Sequence, residues 1–222
     1  NTCKRRLQKD RVRKMITVEI NGEERQYPQG ATYEDVANDY QKEYDNLIAL
    51  AARDGKIREL FKKLTRDCEI TFFTLKDDVG NKTYVRSATM LFLKAVFDVF
   101  GRETVQNCRV EFAIGNGSYI SPKGKINATE ENAAKIRNRM RELVEAKTPF
   151  LKKSYSLDNA MELFRREGMK DKEKLFRYRR GSFVNIYEMD GYYDYYYGYM
   201  LPNAGYVKWF DVIAYELSLI HI

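Results

Sequence analysis

The 222-residue chain contains one histidine, His221, in the closing "LSLIHI". Histidine is the usual general base near neutral pH and the commonest metal ligand. A Ser-His-Asp triad, a Cys-His dyad or a histidine-rich zinc site therefore cannot be assembled in the body of the chain. Cysteine is also scarce: Cys3, Cys68 and Cys108 are far apart, odd in number and without metal-ligand spacing, and they read as reduced thiols of a cytoplasmic protein. No apolar run approaches the ~20 residues of a membrane span. No secretory signal is present, so the sequons at Asn81, Asn116 and Asn127 read as chance matches. A phosphate-cradling G-x-x-x-x-G-K-[ST] loop is missing too; the nearest approach, "GNGSYISPKGK", lacks the spacing and reads as a turn in a strand pair.

Charge of one sign is scarce once the beginning of the chain is set aside. The formal charge is +7, but "NTCKRRLQKDRVRK" holds seven Lys or Arg against one Asp. That leader carries +6 and leaves +1 for residues 15–222, which weakens any argument for polyanion binding from bulk charge. Two readings of the leader stand: Met15 is the natural start and residues 1–14 are upstream sequence, or they are a genuine basic tail.

What is present is a two-part pattern. "ITVEINGEERQYP" alternates Ile16, Val18 and Ile20 and turns at Asn21-Gly22, a hairpin signal. Thr32 is a candidate cap for a helix carrying Val36, Ala37 and Tyr40. "NLIALAARDG" and "CEITFFTL" read as strands, with a short apolar stripe in "KIRELFKKL" between them. From Tyr84, "VRSATMLFLKAVFDVFG" is apolar on nearly all sides, which predicts a buried helix ending at Gly101. Two strands around a Gly-Asn-Gly turn, a helix capped by Thr129, the strand "FLKKSYS" and a helix from Ser156 to Gly168 follow. "SFVNIYEM" and "YVKWFDVIAYE" read as closing strand regions. The predicted class is α+β, with a small β-grasp-like unit before a larger mixed one.

The densest feature is "GYYDYYYGYM", residues 191–200, with six of the chain's 17 tyrosines and one acid, Asp194. As a strand it would send Tyr193, Tyr195, Tyr197 and Tyr199 to one face and Tyr192, Asp194 and Tyr196 to the other. The tyrosines pack a core or stack on a base or nucleoside.

Residues 15–76 resemble a TGS domain, the β-grasp module at the front of threonyl-tRNA synthetases. Residues 77–216 resemble the editing-type domain that follows it there. The likeness runs through "RSATMLFLKAV", "TEENAAKIRNRMRELVEAKTPFLKKSYSLDNAMELFRREG" and "YDYYYGYMLPNAGYVKWFDV". In those synthetases the second domain hydrolyses mischarged tRNA with an HxxxH pair and a CxxxH pair. The resemblance puts these pairs on Arg86 and Met90, and on Tyr196 and Met200. All four ligand types are replaced, while Asp194, Gly198, Pro202, Gly205 and Lys208 match the surrounding pattern. An arginine, two methionines and a tyrosine of pKa ~10 are poor bases at pH 7.

The same pairing of a TGS domain with a histidine-less second domain also resembles the front of a bacterial uridine or nucleoside kinase family, whose P-loop domain comes next. That resemblance implies a non-catalytic regulatory or RNA- or nucleotide-binding region, with a covalently linked kinase domain as partner and with ATP and Mg belonging to that domain alone. The alternative is a threonyl-tRNA-synthetase-like tRNA-binding or editing fragment whose hydrolysis is lost, or residual through Asp194, Lys208 and water. A structural dimerisation module is a third reading. No cofactor or metal is implied in this chain, and "LSLIHI", from residue 217, reads as non-native tail.

Arg86 is expected either to pair with Asp194 across the old cleft or to hold a phosphate or carboxylate. "FRYRRG" sets Arg177, Arg179 and Arg180 among aromatics, as an RNA contact or as a solvated basic loop. Met90 and Met200 read as core fillers. Tyr197 and Lys208 complete the candidate ligand-binding set, with tRNA, another RNA, a nucleotide or a nucleoside as partner.

Overall fold

A computed structural model describes residues 15–114, 117–122, 126–179, 181–215 and 218–221. The chain divides into two compact units, residues 1–80 and 81–222. The leader lies outside the described residues.

In the first unit, β1 (Met15–Ile20) and β2 (Glu23–Pro28) form the expected hairpin. Asn21 and Gly22 take positive φ at its turn, 53° and 83°, the conformation an Asn-Gly pair tolerates best. Helix α1 (Tyr33–Tyr40) opens on a reciprocal capping box: the Thr32 side chain accepts from the Asp35 N–H, and the Asp35 carboxylate accepts from the Thr32 N–H. β3 (Ile48–Arg53) turns at Asp54-Gly55 into β4 (Lys56–Glu59), so the start of the "KIRELFKKL" stripe is a strand. β5 (Cys68–Thr74) lies parallel to β1 and antiparallel to β3. The sheet order is β2-β1-β5-β3-β4, with Val18, Val36, Leu50, Leu60 and Ile70 among the residues buried around it.

The second unit is organised by α2 (Asp78–Phe100). Met90, Leu91, Phe92, Ala95 and Val96 are wholly buried, as an all-round apolar helix requires. Gly101, φ 82°, ends it and leads into α3 (Arg102–Asn107), a six-residue helix the periodicity does not anticipate. β6 (Arg109–Ile114) and β7 (Gly117–Ser121) pair antiparallel; the turn between them lies outside the described residues. Thr129 caps α4 (Glu130–Glu145), which buries Ala133, Ile136, Met140 and Leu143. β8 (Leu151–Ser156), α5 (Leu157–Arg166), α6 (Lys170–Arg177), β9 (Phe183–Met189) and β10 (Tyr192–Asp194) follow. β11 (Val212–Tyr215) and β12 (Ser218–His221) complete the described chain.

One sheet has the order β10-β9-β8, the other β11-β12-β7-β6. Residues 218–221, set apart as tail by the sequence, thus pair on both sides. α5 and α6 close over β8 and β9 around Ala160, Leu163, Phe164, Phe176, Val184 and Ile186. Among the described residues no helix is long and apolar enough to cross a membrane.

The tyrosine run is a strand only over its first part. β10 pairs with β9 from Tyr192 to Asp194 and stops there, because the Asp194 carboxylate accepts from the N–H of Tyr195 and the chain then turns away toward α2. Strand alternation therefore does not extend to residue 200. Tyr193 and Tyr195 lean on the α5–α6 cluster, while Tyr197 projects into solvent, 87% exposed.

Candidate functional site

Of the four positions that resemble the synthetase ligand set, Arg86 and Met90 lie on α2 and Tyr196 and Met200 on the segment that runs back against it, which α2 meets through Arg86 and Ser87. α2 brings Arg86 and Met90 to one side, one helical turn apart. Between them Ser87, buried, donates from Oγ to the Thr83 carbonyl (2.8 Å) and accepts from the Leu201 N–H (2.9 Å). Its Oγ also lies 3.9 Å from the Met200 sulfur. Replacing Ser87 by Ala leaves the Leu201 N–H buried without its partner, and a loss of about 1–3 kcal/mol is expected in denaturant unfolding. A loss of a few tenths would show that this seam contributes little.

Arg86 is held by the backbone of the loop at 198–199. Its guanidinium donates to the Tyr199 carbonyl at 2.6 Å and lies against Gly198, where an added Cβ would come within 2.7 Å of Cζ. Gly198 also has φ 133°, and Tyr187 Oη donates to its carbonyl at 2.9 Å. Glycine is favoured there by its backbone conformation, and a side chain would also have to push the end of Arg86 aside. Met90 and Met200 are wholly buried, in keeping with their reading as core fillers. Tyr196 meets Tyr187 edge-on at 6.5 Å. Its hydroxyl is buried without a hydrogen-bond partner, and burial pushes its ionisation far above the usual phenol value. A guanidinium, two thioethers and a phenol so shifted offer no group that accepts a proton at neutral pH.

Asp194 is buried, 3% exposed. Its partner is Lys172 of α6, in direct ion-pair contact, and not Arg86 as one reading of the sequence expects. The reason is geometric: β10 turns Asp194 toward α6, while Arg86 is taken up by the loop backbone. The carboxylate also accepts from Tyr192 Oη (3.1 Å) and the Tyr195 N–H (2.6 Å). Burial pulls the Lys172 ammonium down to about 8. A cavity of about 60 Å³ opens beside the pair, with Leu93, Val105, Cys108 and Tyr192 on its walls. Burial also pushes the Cys108 thiol up to about 12, so it is no nucleophile at neutral pH.

The remaining sequence candidates are dispersed. Lys208 is exposed and is not among the partners of Asp194, so the pair imagined for residual hydrolysis is not assembled. Arg177 ends α6 and reaches Glu173 at 3.3 Å. Arg179 folds back over the rings of Phe176 and Tyr195, 5.3 and 5.5 Å from their centroids, and donates to Tyr195 Oη at 2.7 Å. Arg180 lies outside the described residues. Lys172 and Ser87 were not singled out in the sequence. The signal for Lys172 is its place four residues before buried Phe176, on the inner face of α6.

No protein-family model matches the chain. It is similar to threonine–tRNA ligases over most of its length. It is 29% identical to the enzyme of Thermotoga maritima over 198 residues, 87% of this chain and 30% of that protein. Identity to the enzyme of Maricaulis maris is 28% over 193 residues, and to that of Carboxydothermus hydrogenoformans 25% over 201 residues. The chain therefore spans about 30% of the length of the curated relatives it matches.

Proposed function

We propose that this chain is a threonyl-tRNA-synthetase-like region, a TGS-type β-grasp unit followed by an editing-type unit, that holds the acceptor end of a tRNA without hydrolysing its ester. The observation that carries the reading is the intact seam between α2 and the 195–201 segment. Arg86 and Ser87 of α2 meet the backbone of Tyr199 and Leu201 there, and none of Arg86, Met90, Tyr196 and Met200 accepts a proton at neutral pH. The sheet order β2-β1-β5-β3-β4 supports the β-grasp part.

The test is paired. Filter binding of tRNA to the chain at physiological salt should be saturable, and serine-charged threonine tRNA should lose its ester no faster with the protein than without it. Absence of saturable binding sinks the reading. Deacylation above background, abolished in Asp194→Asn, would replace it with residual editing.

A second reading makes the same region the non-catalytic front of a nucleoside kinase, favoured by the replacement of all four ligand positions together. Phosphorylation of uridine by the full-length gene product is its assay.

A further inference from the structure

Trp209, the chain's only tryptophan, is held in an unusual way for an exposed aromatic. The indole residue is 60% exposed, yet both of its backbone polar groups are fixed by one side chain of α2. Tyr84 Oη donates to the Trp209 carbonyl at 2.6 Å and accepts from the Trp209 N–H at 2.8 Å. The Tyr84 ring stands 6.5 Å from the indole, tilted by 35°. Burial raises the Tyr84 ionisation above its usual value, so the phenol keeps the proton that this double contact needs.

An exposed indole with a pinned backbone gives up little conformational freedom when a flat ligand covers it. Stacking tolerates any base, because every base has a π-face. Lys208, the preceding residue, is exposed and gives this lip a positive charge suited to a phosphate. Tyr84 precedes Ser87 by three positions on α2, the spacing of neighbours on one helix face, so the Tyr84 brace adjoins the seam described above.

We infer that Trp209, braced by Tyr84, is a stacking platform for an unpaired nucleobase at the edge of the α2 seam. In binding tRNA this platform rests on the function proposed above, but it is measurable without it.

Adenosine monophosphate is the probe, and Trp209 fluorescence is the first readout. Saturable quenching is expected. Trp209→Ala should weaken binding of radiolabelled adenosine monophosphate in equilibrium dialysis by at least about five-fold, the lower bound for one stacked base, and Trp209→Phe by less. Tyr84→Phe keeps the ring but releases the backbone of Trp209. It should lower the fluorescence anisotropy of the free protein, which a purely structural role in the core would not predict.

No quenching with unchanged dialysis in Trp209→Ala overturns the platform. If tRNA is retained on filters equally by the native chain and Trp209→Ala, the platform is wrong while the tRNA reading stands. If adenosine monophosphate binds at Trp209 but tRNA is not retained, the platform stands and the tRNA reading fails.

Discussion

Asp194→Asn is expected to lower the folding stability of the second unit by about 3–5 kcal/mol, read by urea unfolding. Asp194 is 3% exposed and meets Lys172 in direct contact, so removing the carboxylate's charge strands an ammonium in a site that burial already disfavours. The cost comes from the partner left behind rather than from the bond itself. Removing both charges, in Lys172→Met combined with Asp194→Asn, should therefore recover most of the loss.

The variant also carries a pH signature with a definite sign. Burial pulls Lys172 down to about 8, against ~10.4 for a free lysine. Between those values the unfolded chain binds more protons than the folded one, so stability rises with pH across that window. The deficit of Asp194→Asn should be largest at low pH, where Lys172 is charged in both proteins, and should shrink as pH rises toward about 8, above which Lys172 is neutral in both folded states. A deficit that does not shrink as pH rises toward about 8 would mean that Lys172 is not the stranded charge.

Particular elements show what a sequence can carry here. α2, α4 and α5 were legible because their apolar stripes are long and their ends are marked by Gly101, Thr129 and Ser156. α3 was not: six residues hold less than two turns of pattern. α6 was hidden by the run "KDKEK", whose charges mask an inner face carrying Lys172 and Phe176. The four positions of the resemblance were legible as two pairs spaced by four, and the fold sets the α2 pair's helix against the segment that carries the other. Their partners were not. Arg86 ends on the carbonyl of Tyr199, a group every residue possesses and no sequence advertises. Asp194 finds a lysine 22 positions earlier, chosen by where β10 stops. Propensity gave the tyrosine run the look of a long strand, and one carboxylate bonding to its neighbour's N–H ended that strand after three residues.

Lys94→Ala should cost about 3 kcal/mol, the low end of the range for breaking a buried ion pair. Lys94 is 2% exposed and donates from Nζ to Asp98 on its own helix and to the carbonyl of Asp190, both at 2.7 Å. Asp98 keeps a second partner, Arg139 at 2.8 Å, which spares the variant the full penalty of an orphaned carboxylate. Asp190 cannot be compensated in that way. With φ 44°, followed by Gly191 at 80°, it forms the turn between β9 and β10, and Lys94 fastens that turn to α2. Four residues further on is Asp194. Loosening the turn should then weaken the grip of Asp194 on Lys172, so the losses in Lys94→Ala and Asp194→Asn should not add. In a double-mutant cycle the combined variant is expected to lose less than the sum by about 1 kcal/mol. Strict additivity would mean that the turn and the pair are independent, and that α2 holds the hairpin without setting the position of the buried acid.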